Sequence, residues 1–153
     1  MICYLDTSAL IKIYVAEEGS AIVKEKVNLA SLVATSKVAY PEARAAFARA
    51  KRERILTDVT YQIVVDNFNA EWSSYYKLEL TDRICYLAGT FSEKHSLRGF
   101  DSIHLASAKL LENLLQGGRE EDGIEKNMGL IAGCWDKTLL EALRAEGLKT
   151  FPN

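Results

Sequence analysis

The sequence is poor in cysteine, has no long apolar run and carries no excess of positive charge, and each shortage excludes a class of protein. Cys3, Cys85 and Cys134 are odd in number, far apart and never in a C-x-x-C pair. They are expected as buried free thiols of a reducing cytoplasm, not as a disulfide framework or a zinc site. The longest stretch without a charged residue, 27–36, has ten residues, where a membrane-spanning helix needs roughly 20. Asp6 falls where the apolar core of a leader would begin, and no basic segment precedes it, so neither a leader nor a membrane anchor is expected. Lys and Arg total 19 against 21 Asp and Glu, a formal charge of −2. Nucleic acid is therefore not held by bulk charge, and any such role needs a local patch. No internal repeat is present. What remains is 153 residues, 48% hydrophobic and 26% charged, the balance of one globular domain spanning 1–153.

Short apolar runs alternate with helical patterns along the chain. Ile2 to Leu5 has no polar alternation, as in a strand buried on both faces. It stops at Asp6-Thr7-Ser8, a cluster suited to cap the helix carrying Ala9, Leu10, Ile13 and Tyr14. A second strand is expected over Ser31 to Thr35, followed by an Ala- and Arg-rich helix reaching Arg54. Pro41 requires that helix to start after Lys37 or to bend. Asp58 opens a helix with Tyr61, Val64, Val65, Phe68 and Trp72 on one face, a stripe better suited to a core than to stacking bases. Tyr76, Leu78 and Leu80 alternate as a third strand, Thr81 caps the next helix, and Asp101 begins another. Residues 116–127 hold three glycines and six charged residues, the signature of an exposed loop or insertion. A fourth strand ends before Asp136, and a last helix is closed by Gly147 before a short final strand. The whole predicts an α/β fold of three layers, a mainly parallel sheet of four or five strands flanked by helices.

In such folds ligands bind beyond the carboxyl ends of the strands, at a switch in strand order. Four acids are candidates for that edge. Asp6 and Asp136 each follow a buried strand, Asp101 lies at a helix start, and Glu42 lies early in the helix after the second strand. Clustered carboxylates repel one another, and all-oxygen ligands favour Mg²⁺ or Mn²⁺ over zinc. Such ions activate water and stabilise charge in phosphodiester displacement. Spacing alone does not separate one site from four helix caps.

Four stretches carry more information: Tyr4-Leu-Asp-Thr-Ser-Ala-Leu-Ile-Lys12, Tyr40-Pro-Glu-Ala-Arg44, Arg98-Gly-Phe-Asp-Ser-Ile-His-Leu-Ala-Ser-Ala108 and Cys134-Trp-Asp-Lys-Thr-Leu139. In their order they resemble the PIN-domain nucleases, and among these the toxins of the VapBC toxin–antitoxin type. The resemblance implies a PIN-like fold and a metal-dependent endoribonuclease of the cytoplasm. It implies Asp6, Glu42, Asp101 and Asp136 as the acids that hold one or two Mg²⁺ or Mn²⁺ ions, with Ser8, less directly Thr7, as accessory hydroxyls. It also implies an RNA substrate, a small antitoxin that blocks the cleft, and a homodimer. Two departures stand out: Cys134 replaces the usual Ser or Thr two residues before the fourth acid, and 116–127 lengthens the gap between Asp101 and Asp136. Competing readings are a PIN-type RNA-processing nuclease without an antitoxin and a binding module that lost the chemistry; retention of all four acids argues against the latter. A haloacid-dehalogenase-type phosphatase fails, because Ser8 stands where its second Asp is needed.

Two further features bear on the site. His104 follows Asp101 by one helical turn, and the resemblance favours a packing role over a metal ligand. Arg44, Arg49, Lys51 and Arg52 form a basic block that could meet RNA phosphates or be a solvated face. Arg49 lies about 20° from Glu42 around an ideal helix, with small Ala46 between them, yet it is equally placed to pair with Glu53.

Overall fold

The first strand, β1 (Ile2–Leu5), is apolar throughout because both its faces are covered. In the computed structural model, which describes residues 1–117 and 128–153, Ile2 and Tyr4 join one core while Cys3 and Leu5 join another. That two-fold alternation splits the interior into two layers about one sheet. After β1 come α1 (Thr7–Tyr14), α2 (Ser20–Leu29), β2 (Leu32–Ser36), α3 (Ala39–Arg52) and α4 (Asp58–Trp72). There follow β3 (Tyr76–Leu78), α5 (Asp82–His95), α6 (Gly99–Gly117), β4 (Leu130–Gly133), α7 (Lys137–Ala145) and β5 (Thr150–Phe151).

The strands are ordered β3-β2-β1-β4-β5, and every pairing is parallel. The chain builds outward from β1 to β3, returns, and continues from β4 to β5. The reversal lies between β1 and β4, so this is the switch point where an α/β sheet opens a crevice at its carboxyl edge. Residues from α1, α3 and α4 pack on one face, and residues from α5, α6 and α7 on the other. The α4 stripe is core: Phe68 is fully buried, with Val64 and Val65 beside it, and Tyr61 and Trp72 pack at its margins. None of the described helices is long and apolar enough to cross a membrane.

Several expectations shift for local reasons. Pro41 is the third residue of α3, inside the first turn, where backbone N–H groups have no helical partner and a proline costs little. α2 goes unread in the sequence because only Val23 of its ten residues is buried, leaving almost no apolar stripe. Asp58 does open α4, with Thr57 before it as the cap, accepting from the Thr60 N–H. β3 ends at Leu78, and Leu80 is exposed. Cys85 is exposed rather than buried, because α5 turns Ile84, Ala88 and Phe91 inward and leaves its neighbour pointing out. Thr81 does cap α5, and Gly147 takes the left-handed φ of 84° just past α7. Gln116 and Gly117 close α6, while the rest of the expected 116–127 loop lies outside the described residues.

Gly133 pairs in register with both Leu5 and Phe151. A Cβ there would run into the Phe151 ring and the Leu5 side chain. Gly133→Ala is therefore expected to cost about 2 kcal/mol, the usual scale of core overpacking, and to lower the urea midpoint. An unchanged midpoint would show that Phe151 moves aside freely.

Candidate active site

Asp6 leaves β1 at its carboxyl end and caps α1, its Oδ1 accepting from the Ala9 N–H at 2.8 Å. Asp136 repeats this after β4, accepting from the Leu139 N–H at 2.9 Å. Both acids are thus helix caps, but capping engages only one oxygen of each. The other oxygen of Asp6 takes the Ser8 hydroxyl at 2.8 Å and the Cys134 thiol at 3.1 Å. Ser8 also accepts from the Trp135 N–H at 2.7 Å, stitching the end of β1 to the segment after β4. Cys134 therefore fills the place of a hydroxyl with a weaker S–H donor; burial, with Asp6 beside it, pushes its thiol well above the ordinary range.

Asp6 is 4% exposed, and no cation pairs with it among the described residues. Burial raises its pKa, and the His104 ring and its three neutral donors only partly offset this. A buried carboxylate held by neutral donors alone is costly. Glu42, on the first turn of α3, is held differently. The Thr7 hydroxyl donates to its Oε2 at 2.6 Å and His104 Nε2 lies 3.0 Å from the same oxygen. Burial pushes the Glu42 carboxyl up, but these bonds, with His104 and Arg98 nearby, outweigh it and the net pKa is lowered. His104 itself is buried on α6, and its Nδ1 lies 3.0 Å from the Tyr4 hydroxyl. Tyr4 donating to Nδ1 leaves Nε2–H to donate to Glu42, so one tautomer satisfies both contacts. His104 is thus more than a packing residue: it orients Glu42. The i, i+3 spacing from Asp101 drew attention to it, but its partner came from a different element.

Asp101 is the third residue of α6, because the helix begins at Gly99. It is a first-turn acid, not the cap. Arg98 Nε bonds Asp101 Oδ2 at 2.8 Å, and its Nη2 reaches Asp136 Oδ2 at 3.4 Å. One guanidinium thereby links two of the four acids and biases Glu42 electrostatically. Arg98 opens the third of the four resembling stretches, 98–108, but an arginine three residues before an acid carries no sign in the sequence of bridging to Asp136. A cavity of about 410 Å³ opens here, lined by Glu42, Arg98, Gly99, Phe100, Asp101 and Ile103.

Ser8 donates to Asp6, whereas Thr7 donates to Glu42. The basic residues of α3 do not line this cavity. Arg49 pairs with Glu53 at 2.7 Å, Arg44 donates to the Tyr40 hydroxyl, Lys51 pairs with Asp58, and Arg52 is exposed. Among the described residues no three Asp, Glu, His or Cys side chains are already gathered as a metal site. The donors nevertheless suit a hard divalent cation in kind: they are carboxylate oxygens at one sheet edge, and the most buried of them, Asp6, is paired with no basic side chain among the described residues.

The PIN-domain family profile matches residues 3–113. The chain is 30% identical to Ribonuclease VapC45 of Mycobacterium tuberculosis over 149 residues, 97% of this chain and 94% of that protein. Its fold is similar to that of FitAcB from Neisseria gonorrhoeae, with a TM-score of 0.66 at 14% identity over 99% of this chain and 96% of that one. It is also similar to a chain of a toxin–antitoxin complex from Klebsiella pneumoniae, with a TM-score of 0.53 at 17% identity over 84% and 83%.

The raised pKa of Asp6 has a sign that can be measured. A carboxyl whose folded pKa exceeds its unfolded value stabilises the fold when protonated, and that contribution is lost as pH rises through the folded value. Asp6→Asn keeps the cap and removes the buried charge. With divalent ions chelated, Asp6→Asn is expected to be more stable than wild type at pH 7, and the gap should narrow as pH falls toward about 4. Denaturant unfolding of the two proteins across this range checks it; a gap that is constant with pH would contradict it.

Proposed function

The chain belongs to the PIN-domain family, and from that premise we propose that it is a Mg²⁺- or Mn²⁺-dependent endoribonuclease, the toxin of a toxin–antitoxin pair. The observation that carries this reading is the buried Asp6 at the switch point, paired with no basic side chain among the described residues, with Glu42, Asp101 and Asp136 at the same edge of the sheet. These four acids would hold the metal, directly or through water, and Ser8 would support Asp6. When bound, the ion supplies charge neutralisation and an activated water for hydrolysis of an RNA phosphodiester. The chain's own contribution is placement. Ser8, Cys134 and the Ala9 N–H hold the Asp6 carboxylate in one orientation. Thr7 and His104 keep Glu42 ionised and aimed, at little reorganisation cost. None of the four acids needs to act as a nucleophile, so no covalent enzyme intermediate forms.

The partners follow from the same reading. The relative at 30% identity is named a ribonuclease, which supports RNA as substrate. A fold neighbour comes from a toxin–antitoxin complex, which supports a small antitoxin that closes the acidic cleft. Self-association as a homodimer belongs with it. The basic residues Arg44, Arg49, Lys51 and Arg52 would extend RNA contacts along α3 from Glu42; exposed pairs such as Arg49–Glu53 are weak and yield readily to a phosphate.

Asp6→Asn and Asp101→Asn are expected to lose RNA cleavage by at least a hundredfold while remaining folded, measured with purified protein and a labelled RNA. Wild-type rates in both variants would overturn the site assignment. An ion that binds only the native state adds RT ln(1 + [L]/Kd), roughly 2.7 kcal/mol at a hundredfold excess over Kd. Mn²⁺ is therefore expected to raise the Tm of the wild type and to raise that of Asp6→Asn much less. Equal rises would place the ion elsewhere.

A further inference from the structure

Phe100 stands out among the exposed large apolar side chains of the described residues. It is 56% exposed, and it alone of them lines the cavity beside Glu42 and Asp101. An exposed ring beside two carboxylates and a guanidinium is not packing against a core. Its neighbours complete a pattern. Ile103, one turn along α6, adds an apolar wall. Gly99 adds no bulk, and even a Cβ there would meet nothing within 4 Å. The Arg98 side chain is 80% exposed and uses Nε and Nη2 on Asp101 and Asp136. A guanidinium carries five N–H donors, so Nη1 retains donors of its own in the cavity that Phe100 also lines.

We propose that this cavity is a nucleotide subsite, in which the Phe100 ring stacks an unpaired RNA base and Arg98 holds the phosphate attached to it. The inference rests on the nuclease reading and deepens it. A flat apolar face next to a cation matches a nucleotide's own division into base and phosphate. The adjacency of Phe100 to Asp101 puts the stacked base next to the cleavage site. Bases inside a duplex already stack on each other and leave no face for the ring, so the subsite selects single-stranded RNA. Because every base has a π face, the stack itself tolerates any of the four.

The test uses the full-length chain and a short labelled single-stranded oligoribonucleotide, with binding measured in Ca²⁺ and cleavage measured separately in Mn²⁺. Phe100→Ala and Phe100→Leu should each weaken binding and raise KM about tenfold, the scale of one base–aromatic stack. Phe100→Trp should restore both, and the Tm of all three should match wild type because the ring is largely exposed. A self-complementary duplex of the same composition should show no Phe100 effect. An affinity within twofold of wild type for Phe100→Ala overturns the proposal. So does full function in Phe100→Leu, or an equal loss on duplex RNA. Loss of antitoxin binding with unchanged RNA binding would assign Phe100 to a protein interface and likewise overturn it. Single-stranded RNA bound through Phe100 but never cleaved would leave the subsite standing and sink the nuclease reading instead.

Discussion

A carboxylate buried at the end of the central strand is the constraint around which this fold is arranged. Asp6 caps α1 with one oxygen and takes the Cys134 thiol on the other, with Ser8 donating across the pair. Through Ser8 and Trp135 the same knot fastens the segment after β4. The two strands flanking the switch point are thus tied at their carboxyl ends by the residue most in need of a counter-charge. A protein built for stability alone would place an uncharged cap there. Keeping an acid there costs stability, because burial disfavours its charged form.

The other three acids are held by graded means. Glu42 is gripped from two sides, by Thr7 from α1 and by His104 from α6, with Tyr4 of β1 behind the histidine. This chain crosses the sheet, since Tyr4 belongs to one core layer and α3 packs on the other. Among the described residues Asp101 and Asp136 are linked by Arg98, whose side chain is mostly in solvent, and Asp136 also accepts from the Leu139 N–H. Asp6 and Glu42 are thus each bonded from several elements, whereas one guanidinium links Asp101 to Asp136.

Much of this was legible beforehand. β1 read as buried because it lacks polar alternation, and the caps at Asp6, Thr81 and Asp136 read from residue type and position. The α4 stripe read from its helical period. Elements without such a signal were misplaced or missed. α2 buries one side chain, so its helicity is sustained by its neighbours rather than by a stripe of its own. Cys85 looked like the other cysteines until α5 set which face points inward.

The layered α/β class was already readable along the chain, and four acids stood out as candidates by their positions at strand ends and helix starts, because strand burial, capping and residue type are local properties. The partners of those acids came from the three-dimensional packing. Thr7 serves Glu42 rather than its neighbour Asp6, His104 is an orienting residue, and Arg98 spans two acids 35 positions apart in the chain. Each of these facts depends on which elements meet at the switch point. That meeting is set by packing two cores against a single sheet, which no local pattern encodes.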